Sequence, residues 1–228
     1  NKVKDIYGIT LVSEDKSIPY WNKNLMNESR LQLLKGIKGD GDLYSLENIL
    51  SFIKILGKST MDIVTGDGGF DYSGDYNNQE KDSIRLIYSE IFLAINLQKK
   101  GGVFICKIFD IFSENTQKML YILHLSYNNV CFYKPCISRL SNSEKYIICS
   151  DFKGYNTEIV NKMMHHFTTE IDLDLDLDFR NILYNYNCVY SSIQIDQINE
   201  GIDLIKNKKI RKYPSKEQIE KAIQWCKK

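Results

Sequence analysis

Short apolar runs bounded by Gly, Asp or Ser alternate with amphipathic helical patterns from residue 5 to residue 150. That alternation restricts this chain more than any other feature. Residues 5–11, 61–65, 102–108, 129–133 and 145–150 read as strands, because their apolar positions run continuously or with period two. Helical spacing separates them at 45–56, 78–99 and 116–127, most clearly where Ile84, Ile87, Ile91 and Ile95 recur at three- and four-residue steps. Strand and helix in turn predict an α/β fold built on a doubly wound, mostly parallel sheet.

After Phe152 the pattern changes. A helix is predicted near 156–166, then the alternating run IDLDLDLDF at 171–179, then helices at 195–206 and 215–227. The last has a clear start: Ser215 and Gln218 form a capping box after Pro214, and Ile219, Ala222, Ile223 and Cys226 make one apolar stripe. In IDLDLDLDF the aspartates would share one strand face. No glycine turn organises them as Mg²⁺ or Ca²⁺ ligands, so a charged edge strand is expected. The chain divides into a domain over 1–154 and a mainly helical C-terminal extension over 155–228, packed upon it.

Composition narrows the function. With 228 residues and 43% apolar content, one substantial core is available. No apolar run approaches the roughly 20 residues that span a bilayer, and NKVKDIYG lacks the order of a signal peptide, so a cytoplasmic location is expected. The six cysteines show no metal-ligand spacing; even Cys131 and Cys136 read as small core residues of a reduced protein. A net charge of +1 gives no global nucleic-acid signature, and the nine Lys or Arg between 206 and 228 read first as a solvated helix face. Alanine occurs only at 94 and 222, which suggests an A/T-rich genome such as that of a large cytoplasmic DNA virus.

Three charged residues stand where α/β enzymes hold ligands. Asp67, in DIVTGDGGF, directly follows an apolar strand and would emerge at the carboxyl edge of the sheet. Lys107 ends the apolar run GGVFIC at the same edge, a partly desolvated position suited to a base. Glu144 begins its strand; if that strand runs antiparallel, its start lies at this edge too. Upstream, GIKGDGDL places Asp42 in a turn able to accept from an adenine amino group, with a backbone amide free to donate to a ring nitrogen. The GxGxxG and GKS/T signatures are absent, which argues against NAD and ATP chemistry.

In order along the chain, DIVTGDGGF, NNQE, GGVFICKIFD and KPCISRLSNSEKYIIC resemble the FtsJ-like family of RNA ribose 2′-O-methyltransferases, and within it the mRNA-cap-modifying group. QIDQINEGIDLI and IEKAIQWC resemble that group's C-terminal tail. The resemblance implies a Rossmann-like methyltransferase fold with one antiparallel strand, S-adenosyl-L-methionine as cofactor, and no catalytic metal. The implied substrate is RNA, the capped 5′ end of mRNA, with other capping enzymes as partners and no DNA specificity. From the family's Lys-Asp-Lys-Glu set it assigns Asp67, Lys107 as proton acceptor, and Glu144. It assigns Asp42, Leu43 and Asp67 to the cofactor, and Asn77, Asn78, Gln79, Asn142, Arg139 and Ser143 to RNA. The family's first lysine, ahead of a glycine-rich first loop, has no counterpart; Lys2 and Lys4 sit too late, and KDIYGITL resembles the second strand. Without that lysine and loop, the 228 residues alone are expected to bind cofactor weakly and to be inactive. Two other readings stay open: a degenerate fold serving as an RNA-binding scaffold in a capping complex, and an rRNA or tRNA ribose methyltransferase.

Overall fold

A computed structural model describes residues 3–15, 21, 23–70, 72, 78–207 and 214–227. In chain order its elements are β1 (Ile6–Ile9), α1 (Lys23–Met26), β2 (Leu31–Leu34), α2 (Leu46–Leu56), β3 (Met61–Gly66), α3 (Gln79–Leu97) and β4 (Gln98–Ile108), followed by α4 (Glu114–Ser126), β5 (Tyr127–Tyr133), β6 (Lys145–Phe152), α5 (Thr157–His165), α6 (Leu177–Lys206) and α7 (Lys216–Cys226). The strands form a four-stranded sheet in the order β3-β4-β6-β5 and a two-stranded sheet of β1 and β2. β3 pairs parallel with β4, and β6 pairs antiparallel with both β4 and β5, so three strands of the larger sheet point one way and β6 is the reversed one. The α/β fold with a single antiparallel strand is therefore present.

The helices begin where their caps dictate. Ser45 Oγ accepts the Asn48 N–H at the start of α2, and Ser113 Oγ accepts the Thr116 N–H at the start of α4. Gly57 ends α2 at φ 80°, a conformation that glycine adopts without strain. The core lies where α2, α3 and α4 cover the sheet: Phe52, Ile91, Phe92, Phe104, Leu123, Ile147 and Phe152 are all buried. Full burial of each such side chain stabilises by about 1.5–3 kcal/mol, which fixes the strand ends and so the edge that carries Asp67 and Lys107.

Three elements differ from expectation. β2 was not expected: LQLL lacks strict alternation, and parallel pairing with β1 makes it a strand. β4 starts at Gln98 rather than 102, directly after α3, and its pairing with β3 slips between Met61 and Ile63, where Gly101 takes φ 83°. IDLDLDLDF is not an edge strand. Ile171 and Leu175 are buried four residues apart while Leu177 is 71% exposed, and Asp176 Oδ1 accepts the Phe179 N–H at 2.6 Å. Capping by Asp176 starts α6 there, so helix initiation overrides the period-two pattern and α6 extends over 30 residues.

The region after residue 155 packs unevenly. α5 is tied to α3 by the Tyr88 hydroxyl, which donates to Met163 O at 2.6 Å. α6 buries Phe179 and Leu183, and Tyr186 stacks near Phe132 with centroids 4.1 Å apart; farther along, Ile198 and Ile202 are exposed. α7 has the expected capping box, with Gln218 N–H donating to Ser215 Oγ and Ser215 N–H to Gln218 Oε1. Its stripe does not pack as expected: Ile219 and Ile223 are 45% and 47% exposed. Among the described residues no helix is long and apolar enough to cross a membrane.

The two halves of α6 should respond differently to truncation. Leu183→Ala is expected to lower the free energy of unfolding by about 2–4 kcal/mol, and Ile202→Ala by less than about 0.5 kcal/mol, in paired denaturant titrations.

Candidate active site

Gly66, the last residue of β3, pairs with Cys106 in β4, so Asp67, just past β3, and Lys107, near the end of β4, come side by side at the carboxyl edge of the sheet. Lys107 Nζ lies 3.1 Å from Asp67 Oδ1 and donates to Asp67 O at 3.1 Å. The lysine side chain is 15% exposed and the aspartate 69%, so the amine is sheltered while the carboxylate faces solvent. Across β4 and β6, Lys107 is opposite Tyr146, whose hydroxyl donates to Asp67 Oδ1 at 3.5 Å. Glu144 directly precedes β6, close enough for its charge to act on Tyr146. Burial first, then the charges of Asp67 and Glu144, push the Tyr146 phenol up. The reversed strand thus brings Asp67, Lys107 and Glu144 to one edge, with Tyr146 as a fourth member that the sequence did not single out.

Beneath them sits Glu90, from the buried stripe of α3. Its Oε1 accepts the Gly68 N–H at 2.9 Å, and its Oε2 accepts from Cys106 Sγ at 3.4 Å. A Cβ at Gly66 or Gly68 would lie 2.7 or 2.8 Å from this carboxyl group, and one at Gly69 would lie 3.2 Å from Lys107 Nζ. The glycines of DGG therefore make room for Glu90 and Lys107. Burial pushes the Glu90 carboxyl up, opposed by the Gly68 amide, the Cys106 thiol and Lys107. The available signal was a lone charge at 90 among the apolar positions 87, 91 and 94.

A second loop, 36–45, stands beside the first. Asn48, fully buried in α2, organises it: Nδ2 donates to Asp40 Oδ1 at 2.7 Å and to Asp42 O at 3.0 Å, while Oδ1 accepts the Lys38 N–H at 3.0 Å. Gly41, at φ 68°, meets the Thr10 carbonyl so closely that a side chain cannot fit. Asp42 Oδ1 accepts the Tyr44 N–H at 2.8 Å. The Tyr44 ring lies 6.3 Å from Phe70, three residues beyond Asp67, and carries the Arg85 guanidinium 4.5 Å above it. Half-buried Asp42 and Leu43 thus stand next to the Asp67 turn. A carboxylate beside backbone amides and a half-buried leucine is a set of groups that could hold a heteroaromatic ring.

On the other flank, Gln79 Oε1 accepts from Ser143 Oγ at 3.2 Å, joining the start of α3 to the loop before β6. Lys134 Nζ donates to Asn142 O, Asn142 Oδ1 and Glu144 O, fixing that loop with all three protons. Arg139 is exposed, and its carbonyl accepts the Asn142 N–H at 3.3 Å. Asn78 is the N-cap residue of α3 but makes no side-chain cap bond. Asn77 lies outside the described residues. Gln79, Asn142, Ser143 and Glu144 are therefore one cluster, while Asp42 and Leu43 lie on the far side of Asp67. Lys134 was not singled out from the sequence.

Nor was Lys145, the first residue of β6. It is 4% exposed, donates to Phe109 O at 2.7 Å, and has Asp110 Oδ1 at 4.0 Å. Loss of water pushes its amine down to about 8, against the pull of Asp110.

Comparison with known proteins bears on the whole arrangement. The family model for the FtsJ-like methyltransferase matches residues 1–152. A cap-specific mRNA (nucleoside-2′-O-)-methyltransferase 1 from Leishmania braziliensis is 37% identical over 155 residues, covering 67% of this chain and 38% of that protein. The protein of that name from Mus musculus is 32% identical over 214 residues, covering 85% of this chain and 24% of the other. The one from Trypanosoma brucei brucei is 40% identical over 120 residues, covering 52% and 32%. The chain thus spans well under half the length of these relatives.

The depressed Lys145 amine makes stability depend on pH. The unfolded chain holds this proton up to about pH 10.5 and the folded chain only to about 8, so stability is lowest below 8 and rises between the two values. Lys145→Met is expected to remove about 3 kcal/mol from that rise, measured as the difference between the two proteins' denaturant midpoints across the window.

Proposed function

The chain belongs to the FtsJ-like methyltransferase family, and on that premise we propose that it takes part in methyl transfer from S-adenosyl-L-methionine to a ribose 2′-hydroxyl of RNA, at the 5′ cap region of mRNA. The observation that carries this reading is the Lys107 amine held 3.1 Å from the Asp67 carboxylate at the carboxyl end of two parallel strands. Such a pair suits removal of a proton from an alcohol. Lys107 accepts the hydroxyl proton, and the ammonium that forms is stabilised by Asp67 Oδ1 and by the negative charge of Glu144 nearby.

S-Adenosyl-L-methionine would supply an activated methyl group on a sulfonium. Asp42 and Leu43 would hold its adenine, and Asp67 its other end. Asn77, Asn78, Gln79, Asn142, Arg139 and Ser143 are the residues for RNA; the Gln79–Ser143 bond supports treating two of them as one surface. The domain of residues 1–154 would carry the chemistry, and 155–228 would form the extension. Other capping enzymes are the natural partners, and six unpaired thiols favour a reduced, cytoplasmic setting.

The test uses the chain in the longest form its reading frame encodes, labelled S-adenosyl-L-methionine and short capped RNA. Transfer is expected with capped RNA and not with uncapped transcripts. It should fall at least about a hundredfold in Lys107→Ala, as for loss of a general base, and vanish when the target ribose already carries a 2′-O-methyl group. RNA binding without any transfer would overturn the reading.

A further inference from the structure

The family match ends at residue 152, yet α6, which begins at Leu177, meets the loops beside the site. Two loops flank Lys107 and Glu144: residues 109–113 leave β4, and residues 134–144 lead into β6. α6 bonds to both. Asn187 Nδ2 donates to Ile111 O at 3.2 Å, and Gln194 Nε2 donates to Ser141 O at 3.2 Å. Between these contacts Tyr186 and Tyr190 stack with centroids 4.3 Å apart, and both rings face Lys145 Nζ at 5.9 Å. Lys145 in turn holds Phe109 O, two residues beyond Lys107.

The two ammonium groups here do not form an anion site. Lys134 gives its protons to Asn142 and Glu144, and Lys145 gives one to Phe109 and faces Asp110. Their charges serve the protein's own carbonyls, which identifies the cleft between α6 and the loops as a clamp.

Building on the proposed methyl transfer, we propose that Lys145 together with Asn187 and Gln194 of α6 positions the 109–113 and 134–144 loops for RNA, making RNA engagement depend on a segment beyond the family domain. Among the described residues no hydrogen bond or ion pair joins Asp42 or Leu43 to Lys145, Asn187 or Gln194; the two flanks meet through the ring series Tyr44, Phe70, Tyr72 and Phe109. Because the clamp acts through the loops, its residues are positioning residues. Their loss loosens Asn142 and Ser143 without removing Lys107 or Asp67.

The experiment compares the unsubstituted chain, again in the longest form its reading frame encodes, with Asn187→Ala/Gln194→Ala, Lys145→Met and Leu183→Ala. Readouts are KM and kcat for a short capped RNA and for S-adenosyl-L-methionine, and RNA affinity by fluorescence anisotropy. The double variant and Lys145→Met are expected to raise the RNA KM and Kd about five- to thirtyfold, with kcat and the cofactor KM within about twofold, as for loss of one or two hydrogen bonds. Leu183→Ala weakens the same helix without touching the loops and should leave RNA affinity unchanged below its melting temperature. Unchanged RNA affinity in the double variant and in Lys145→Met, or an equal rise in Leu183→Ala, would overturn the proposal. If the unsubstituted chain binds RNA but transfers no methyl group, the methyltransferase reading fails while anisotropy still decides the role of α6. Absence of RNA binding overturns both.

Discussion

A carboxyl group enclosed under the Asp67 turn is the constraint on which the rest of the site depends. Glu90 comes from the middle of α3, whose neighbouring positions are committed to the core, so the helix cannot shift without disturbing both. Its carboxyl oxygens accept the Gly68 amide and the Cys106 thiol, tying the turn after β3 to the strand that carries Lys107. Enclosure of such a group is costly unless its acceptors are used. Here they are, and the turn is held at the height where Asp67 meets the lysine.

Much of this architecture was legible in the sequence because period and burial agree. The strands around Met61–Gly66, Gln98–Ile108 and Lys145–Phe152 and the helix Gln79–Leu97 follow directly from their apolar spacing, whereas the short link after β5 only permits the reversed direction of β6 that its pairing establishes. Asp67, Lys107 and Glu144 could be placed because each stands at the end or start of such a run. Residues whose work depends on distant partners could not. Tyr146 matters because of its register against Lys107, and Lys134 because of the fold of a loop eight residues away. Glu90 matters because two glycines leave room above it. IDLDLDLDF shows the opposite case: its period of two is that of a strand, yet Asp176 within it caps a helix.

The site also has two unlike flanks. The loop at 36–45 is organised within the family domain by one fully buried asparagine. The loop at 134–144 is held partly by Lys134 and partly by a helix that follows the domain. The two loops are therefore held by different parts of the chain, one from within the family match and one partly from beyond it.

The position of β6 has a consequence for synthesis. It is the last strand of the larger sheet to leave the ribosome, yet it occupies an interior position between β4 and β5. Until it emerges, β4 and β5 have no common neighbour, and each presents an open edge of unpaired amides and carbonyls. The nascent chain must therefore hold an unfinished sheet until residues 145–152 have emerged. A pause or nick ahead of Lys145 would release a species with a sticky gap at its centre, well suited to capture by chaperones or by other unfinished copies of itself.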